Sequence, residues 1–156
     1  MKITLILVGK TNDRLYAEGI DDYAKRINHY MPFNIKVIPD IKNSKSLNEE
    51  QQKTKEGELI LKSIEDKSHV VLLDEHGREM RSIELADWLG RKQAVTKHLI
   101  FVIGGPYGFS KAVYDRADDK LSLSRLTFSH QMVRLILAEQ VYRACTIMKN
   151  EPYHHE

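Results

Sequence analysis

The sequence predicts an α/β fold built on a parallel sheet of about five strands with helices on both faces. Two observations carry this. Leu99-Ile100-Phe101-Val102-Ile103 is an unbroken apolar run, three of its five residues β-branched, as expected of a strand covered on both faces. Around it, strand-like and helix-like patterns alternate regularly from one end of the chain to the other, with no internal repeat and no low-complexity block.

The elements follow in order. Ile3 to Val8 reads as an apolar strand, and Gly9-Lys10-Thr11-Asn12 as a turn into a helix marked by Leu15, Tyr16, Ile20, Tyr23, Ala24 and Ile27. Tyr30 to Pro32 ends that helix. Phe33 to Ile38 is short, rich in β-formers and closed by Pro39-Asp40, which suits a second strand. Ile41 to Asn48, rich in Lys, Ser and Asn, is expected to be a mobile, insertion-tolerant loop before a charged helix from Glu49 to Ile64. On that helix Lys53, Lys55 and Lys62 read as a solvated face.

His69 to Leu73 is a third strand, with Asp74-Glu75-His76-Gly77 expected as a turn at its carboxyl end. Ser82 is expected to cap a helix through Ile83, Leu85, Ala86, Trp88 and Leu89. After the Leu99–Ile103 strand, Gly104-Gly105-Pro106-Tyr107-Gly108 forms a sharp corner, and Ser110 can cap the next helix. Leu121-Ser122-Leu123-Ser124-Arg125-Leu126-Thr127-Phe128 alternates small polar and apolar residues before Ser129 opens a long helix, Gln131 to Met148. That helix is apolar nearly all round, so it must be buried, and a second subunit could supply part of the cover.

Composition narrows the class. The 156 residues suit a single domain, 1–156, and an apolar fraction of 42% with 29% charged residues fits a soluble protein. No apolar run approaches the roughly 20 residues that cross a bilayer. The opening Met1-Lys2-Ile3-Thr4-Leu5 runs straight into a strand pattern without the features of a signal peptide, and Cys145 is the single cysteine; both point to the cytoplasm. A formal charge of +2 neither demands nor excludes a nucleic-acid partner.

Several chemistries are poorly supported. The glycine corner is followed by no Gly-Lys-Ser/Thr and misses the dinucleotide spacing by one position. There is no Gly-x-Ser-x-Gly elbow, and Cys145 lies in an apolar stripe. The seven histidines show no metal-ligand spacing, so no metal is expected. Arg143 stands four residues after Glu139, which by itself is a helix-surface ion pair. In the terminal Glu151-Pro152-Tyr153-His154-His155-Glu156, an aromatic ring and an imidazole could handle a nucleobase if the tail folds over a pocket.

Taken together, Phe101 to Gly108, Leu123 to Phe128, His130-Gln131-Met132-Val133-Arg134, Glu139 to Ala144 and Tyr153-His154 resemble the RlmH family along the whole chain. These are small bacterial SPOUT-class methyltransferases that methylate N3 of a pseudouridine in large-subunit ribosomal RNA. The resemblance implies an α/β-knot fold with a C-terminal trefoil knot, a homodimer, and ribosomal RNA within the assembled ribosome as partner, with no membrane and no metal. It implies S-adenosylmethionine as cofactor, held by Leu73, Gly104, Leu123, Ser124, Arg125, Leu126, Thr127 and Phe128. Arg143, Tyr153 and His154 match the family's positions for substrate handling or catalysis; Tyr153 and His154 are expected to orient the base and assist deprotonation, and Arg143 to stabilise negative charge on the ring or grip phosphate. Ser129 stands where the family usually has proline, and serine caps a helix well. The rival readings are a non-catalytic RNA- or ribosome-binding factor on the same fold, and a monomeric flavodoxin-like protein that binds flavin.

Overall fold

The computed structural model describes every residue except Asn43. The chain forms β1 (Lys2–Val8), α1 (Arg14–Ile27), β2 (Phe33–Ile38), α2 (Glu49–Ser63), β3 (His69–Glu79), α3 (Ser82–Val95), β4 (His98–Ile103), α4 (Lys111–Arg116), β5 (Asp119–Ser122) and α5 (His130–Met148). The five strands make one sheet in the order β2-β1-β4-β3-β5, and every pairing is parallel. The expected α/β class and parallel sheet are therefore present.

Strand alternation divides the core in two. Leu5, Leu7, Leu99, Phe101 and Ile103 point to one face, where they pack with Trp88 and Leu89 of α3 and Leu137, Val141 and Cys145 of α5. Ile6, Val8, Ile100 and Val102 point to the other, against Ile60 of α2 and Val113 of α4. Both faces of β1 and β4 are thus covered, which is why their sequences lack a polar alternation.

Two local expectations are revised. The Asp74–Gly77 turn is part of β3, which runs on to Glu79 because β5 pairs with it on both sides of an irregularity: Leu73 with Leu121, then Arg78 again with Leu121. Gly77 permits that crowding, since a Cβ there would lie 2.7 Å from the Leu121 backbone. Ser82 is the first residue of α3 and not its cap. The Arg81 N–H is taken up by Glu84 at 2.6 Å, while the Ser82 hydroxyl donates to Gln140 of α5 at 2.8 Å. The loop expected over 41–48 includes Asn43, which lies outside the described residues.

Helix α5 begins at His130, with Ser129 as cap: its hydroxyl accepts from the Met132 amide at 3.1 Å. Leu137, Ala138, Val141, Ala144 and Cys145 are buried, whereas Met132 is exposed and Val133, Leu135 and Ile136 are half-buried. The apolar surface of this helix is wider than the sheet covers. Burial raises the Cys145 thiol to about 12, so it is packing and not a nucleophile.

Candidate functional site

At the carboxyl ends of β3, β4 and β5 the structure opens into a cleft of ≈ 620 Å³. That is where open α/β sheets bind ligands, and the volume is in the range of small-molecule sites. One wall is the glycine corner. The Gly108 amide donates to Gly105 O at 3.3 Å to close a tight turn, and Gly108 has a φ of +81°, a backbone state that favours glycine. The opposite wall is the segment after β5. There Ser122 Oγ donates to Ser124 O at 2.9 Å, and Ser124 Oγ accepts from the Leu126 amide at 3.0 Å, so the small polar residues shape the loop through local bonds.

Of the residues expected to hold a cofactor, Leu73, Gly104, Leu123, Ser124, Leu126, Thr127 and Phe128 line this cleft. Arg125 does not; its side chain is exposed and its Nε lies 3.8 Å from Glu79. Asp74 and Tyr114, which the sequence did not single out, also line it. Burial pushes the Asp74 carboxyl up, but hydrogen bonds from the Tyr114 hydroxyl and the His76 amide outweigh that and hold it below its ordinary value. Burial and the same bond raise the Tyr114 phenol to about 12. An ionised carboxylate, with Glu49 and Glu75 on the rim and apolar Ile103, Leu121 and Val133 inside, suits a ligand with a flat apolar body, hydroxyl groups and a cationic centre. The signal for Asp74 was its place directly after the apolar run that opens β3.

Arg143, Tyr153 and His154 come together elsewhere. None of them lines the cleft, and Arg143 stands ten residues beyond Val133 on α5, about 15 Å along the helix axis. Glu139 organises the group. Its Oε1 accepts from Arg143 Nη2 at 2.5 Å and from the Tyr153 hydroxyl at 2.9 Å. The ion pair read from the sequence is therefore real, and it is half of a clamp. The Arg143 guanidinium lies 4.7 Å from the Tyr153 ring centroid, and Tyr153 meets Tyr142 edge-on at 4.7 Å. Tyr30 donates to Glu151 at 2.5 Å, and Arg81 pairs with Glu156, so the tail is tied at both ends.

The hydrogen bonds also fix what these groups offer. Arg143 Nη1 and His154 Nδ1 are 3.2 Å apart, and a guanidinium can only donate, so Nδ1 is the acceptor. In the neutral ring the proton then sits on Nε2, which is buried without a partner among the described residues. Burial, with hydrogen bonds to Tyr23 and Glu139, raises the Tyr153 phenol above its ordinary value. Arg143 and His154 thus keep N–H donors apt to hold negative charge on a carbonyl oxygen, while Tyr153, whose single hydroxyl hydrogen goes to Glu139, fixes the Arg143 guanidinium against its ring. Among the described residues no group of three or more side chains could hold a metal ion, and no helix is long and apolar enough to cross a membrane.

The comparisons bear on what this arrangement serves. A family model described as "Predicted SPOUT methyltransferase" matches residues 1–154. A protein of Phocaeicola vulgatus named "Ribosomal RNA large subunit methyltransferase H" is 57% identical over 157 aligned residues, covering 100% of both chains. One of the same name from Christiangramia forsetii is 53% identical, covering 99% of each. Among solved structures, a probable methylase family protein from Haemophilus influenzae Rd KW20 superposes with a TM-score of 0.55 over 99% of this chain and 70% of that one. At 14% identity that last likeness concerns the fold alone.

Proposed function

Because this chain belongs to the SPOUT methyltransferase family, we propose that it methylates N3 of a pseudouridine in large-subunit ribosomal RNA, with S-adenosylmethionine as donor and the assembled ribosome as substrate. The observation that carries the reading is the cleft at the strand ends, walled by the glycine corner and the serine-ordered loop, in a chain that matches ribosomal RNA methyltransferases end to end. Leu73, Gly104, Leu123, Ser124, Leu126, Thr127 and Phe128 surround the cofactor, and the Asp74 carboxylate faces its cationic part. When bound, S-adenosylmethionine supplies an activated methyl group, so the protein has chiefly to align the target nitrogen and stabilise the charge left when its proton departs.

Charge stabilisation falls to Arg143, Tyr153 and His154. The remaining N–H groups of Arg143 and His154 suit a carbonyl oxygen of the deprotonated ring, and Tyr153 and Glu139 keep them in place. Since these three residues lie outside their own subunit's cleft, a second copy supplies them: the protein acts as a homodimer in which one tail meets its partner's cleft. Met132, Leu135 and Ile136 on α5, left partly uncovered by the sheet, provide an apolar seam. The cleft walls belong to a knotted C-terminal segment, in the cytoplasm.

Calorimetry and ribosomal RNA mass spectrometry test the reading. Micromolar binding of S-adenosylmethionine, together with gain of one methyl group on ribosomes from a strain lacking this protein, is expected. Ribosome binding without affinity for the donor would instead identify a non-catalytic binding factor.

A further inference from the structure

A second cavity, of ≈ 250 Å³, borders the cleft: Gly104, Gly105, Pro106 and His130 line both. It is closed by the end of β1, by α2 and by the first turns of α5, and four charged side chains line it, Lys10, Arg134, Asp40 and Glu56, of which Glu56 and Arg134 are buried and not paired with each other. Glu56 is 4% exposed; its Oε2 accepts from Gln52 at 3.1 Å, and its Oε1 has no partner among the described residues. Arg134 is 2% exposed. Its Nη1 donates to Gly9 O at 2.9 Å and to Thr11 Oγ1 at 3.0 Å, its Nη2 to Val8 O at 2.7 Å, and its Nε to nothing among the described residues.

A buried polar atom left without a partner is costly, so two around one cavity call for an explanation. The walls restrict the answer. Two cations, Arg134 and Lys10, disfavour a metal ion, and two carboxylates, Glu56 and Asp40, disfavour an anion. What fits is a neutral ligand with a donor beside an acceptor. At roughly 30 Å³ per water the volume equals about eight waters, enough for a pyrimidine ring.

Resting on the reading that this chain methylates a pseudouridine, we propose that the second cavity takes one edge of the target base, with a ring N–H donated to Glu56 Oε1 beside a carbonyl oxygen that accepts from Arg134 Nε. Pseudouridine is joined to its ribose through carbon, so N1–H is free and lies next to C2=O; N3 lies beyond that carbonyl, left for the neighbouring cleft. In uridine N1 carries the sugar, and no N–H remains apart from the one to be methylated. Glu56 and Arg134 therefore select the pseudouridine, and Gly105 lets Glu56 approach: a Cβ at that position would lie 2.5 Å from Oε1.

The test compares methylation rates on ribosomes that carry the target pseudouridine and on ribosomes with uridine in its place, for the wild type, Glu56→Met and Glu56→Gln. Calorimetry with S-adenosylmethionine shows that each variant is folded with its cleft intact. The wild type should prefer pseudouridine by at least about tenfold, the worth of one hydrogen bond to a charged group. Glu56→Met should lose that preference while still binding the cofactor, and Glu56→Gln, which keeps an acceptor, should retain part of it. In the unmutated protein, millimolar pseudouridine 5′-phosphate should shift the amide resonances of Gly9 and Gly105, and uridine 5′-phosphate should not. Equal rates on both ribosomes, full preference in a cofactor-binding Glu56→Met, or equal resonance shifts would overturn the inference and leave the methyltransferase reading standing. A wild type that methylates neither ribosome would overturn both.

Discussion

Two arginines on α5, nine residues apart in sequence, have opposite surroundings. Arg134 near the start of the helix is sealed in, and its η nitrogens serve backbone carbonyls of the β1 end and the Thr11 hydroxyl, with no carboxylate within ion-pair distance among the described residues. Arg143 near the other end keeps 24% of its side chain exposed, is bonded to Glu139, and stacks against Tyr153. The first ties the helix to the sheet through groups that no other side chain would satisfy. The second is held at the surface in one orientation, at the cost of ordering a long side chain. Burial with neutral partners marks an arginine whose η nitrogens the fold depends on, with only Nε left over for a ligand; partial exposure with a charged partner marks one that can meet a second molecule.

That contrast can be broken at three points, in decreasing order of expected effect. Arg143→Met should lower the methylation rate by about three orders of magnitude, as loss of a positioned cationic donor does, and leave the urea midpoint nearly unchanged. A large loss of stability there would assign Arg143 to the fold instead. Arg134→Met should do the reverse on unfolding: stranding the Val8 and Gly9 carbonyls should cost roughly 3 kcal/mol, read as a lower urea midpoint. An unaltered midpoint would mean that water satisfies those carbonyls and that the anchoring role is wrong. Glu139→Gln removes the charge from the clamp but keeps an acceptor, so a drop of about tenfold in kcat with little change in KM is expected. A change confined to KM would show that Glu139 acts on binding and not on the orientation of Arg143 and Tyr153.

The same contrast explains what was legible in advance. β1 and β4 are covered on both faces, and their continuous apolar runs announced it. The cleft was legible for a similar reason, since glycines and small polar residues follow the buried strands where parallel sheets open. Glu56 was not. It lies on a helix that reads as a charged, solvated face, and only contact of that helix with α4 shows that Glu56 and Gly57 face inward; a Cβ on Gly57 would lie 2.4 Å from Ser110 Oγ. Ser82 misled for a related reason, because its partner, Gln140, comes from a helix 58 positions away. Asp74 to Gly77 looked like a turn because the strand that pairs beyond them, β5, has only four residues and a weak signal of its own.

By itself, then, the sequence determined the order of strands and helices, the parallel sheet and the edge at which the cleft opens, since periodicity and turn chemistry act between neighbours in the chain. Tertiary structure decided which polar side chains are sealed in and which are clamped at the surface: Glu56 beneath the glycine corner, Arg134 on the β1 carbonyls, Glu139 between Arg143 and Tyr153. Those assignments depend on desolvation and on hydrogen-bond partners distant in sequence, and local pattern holds no record of either.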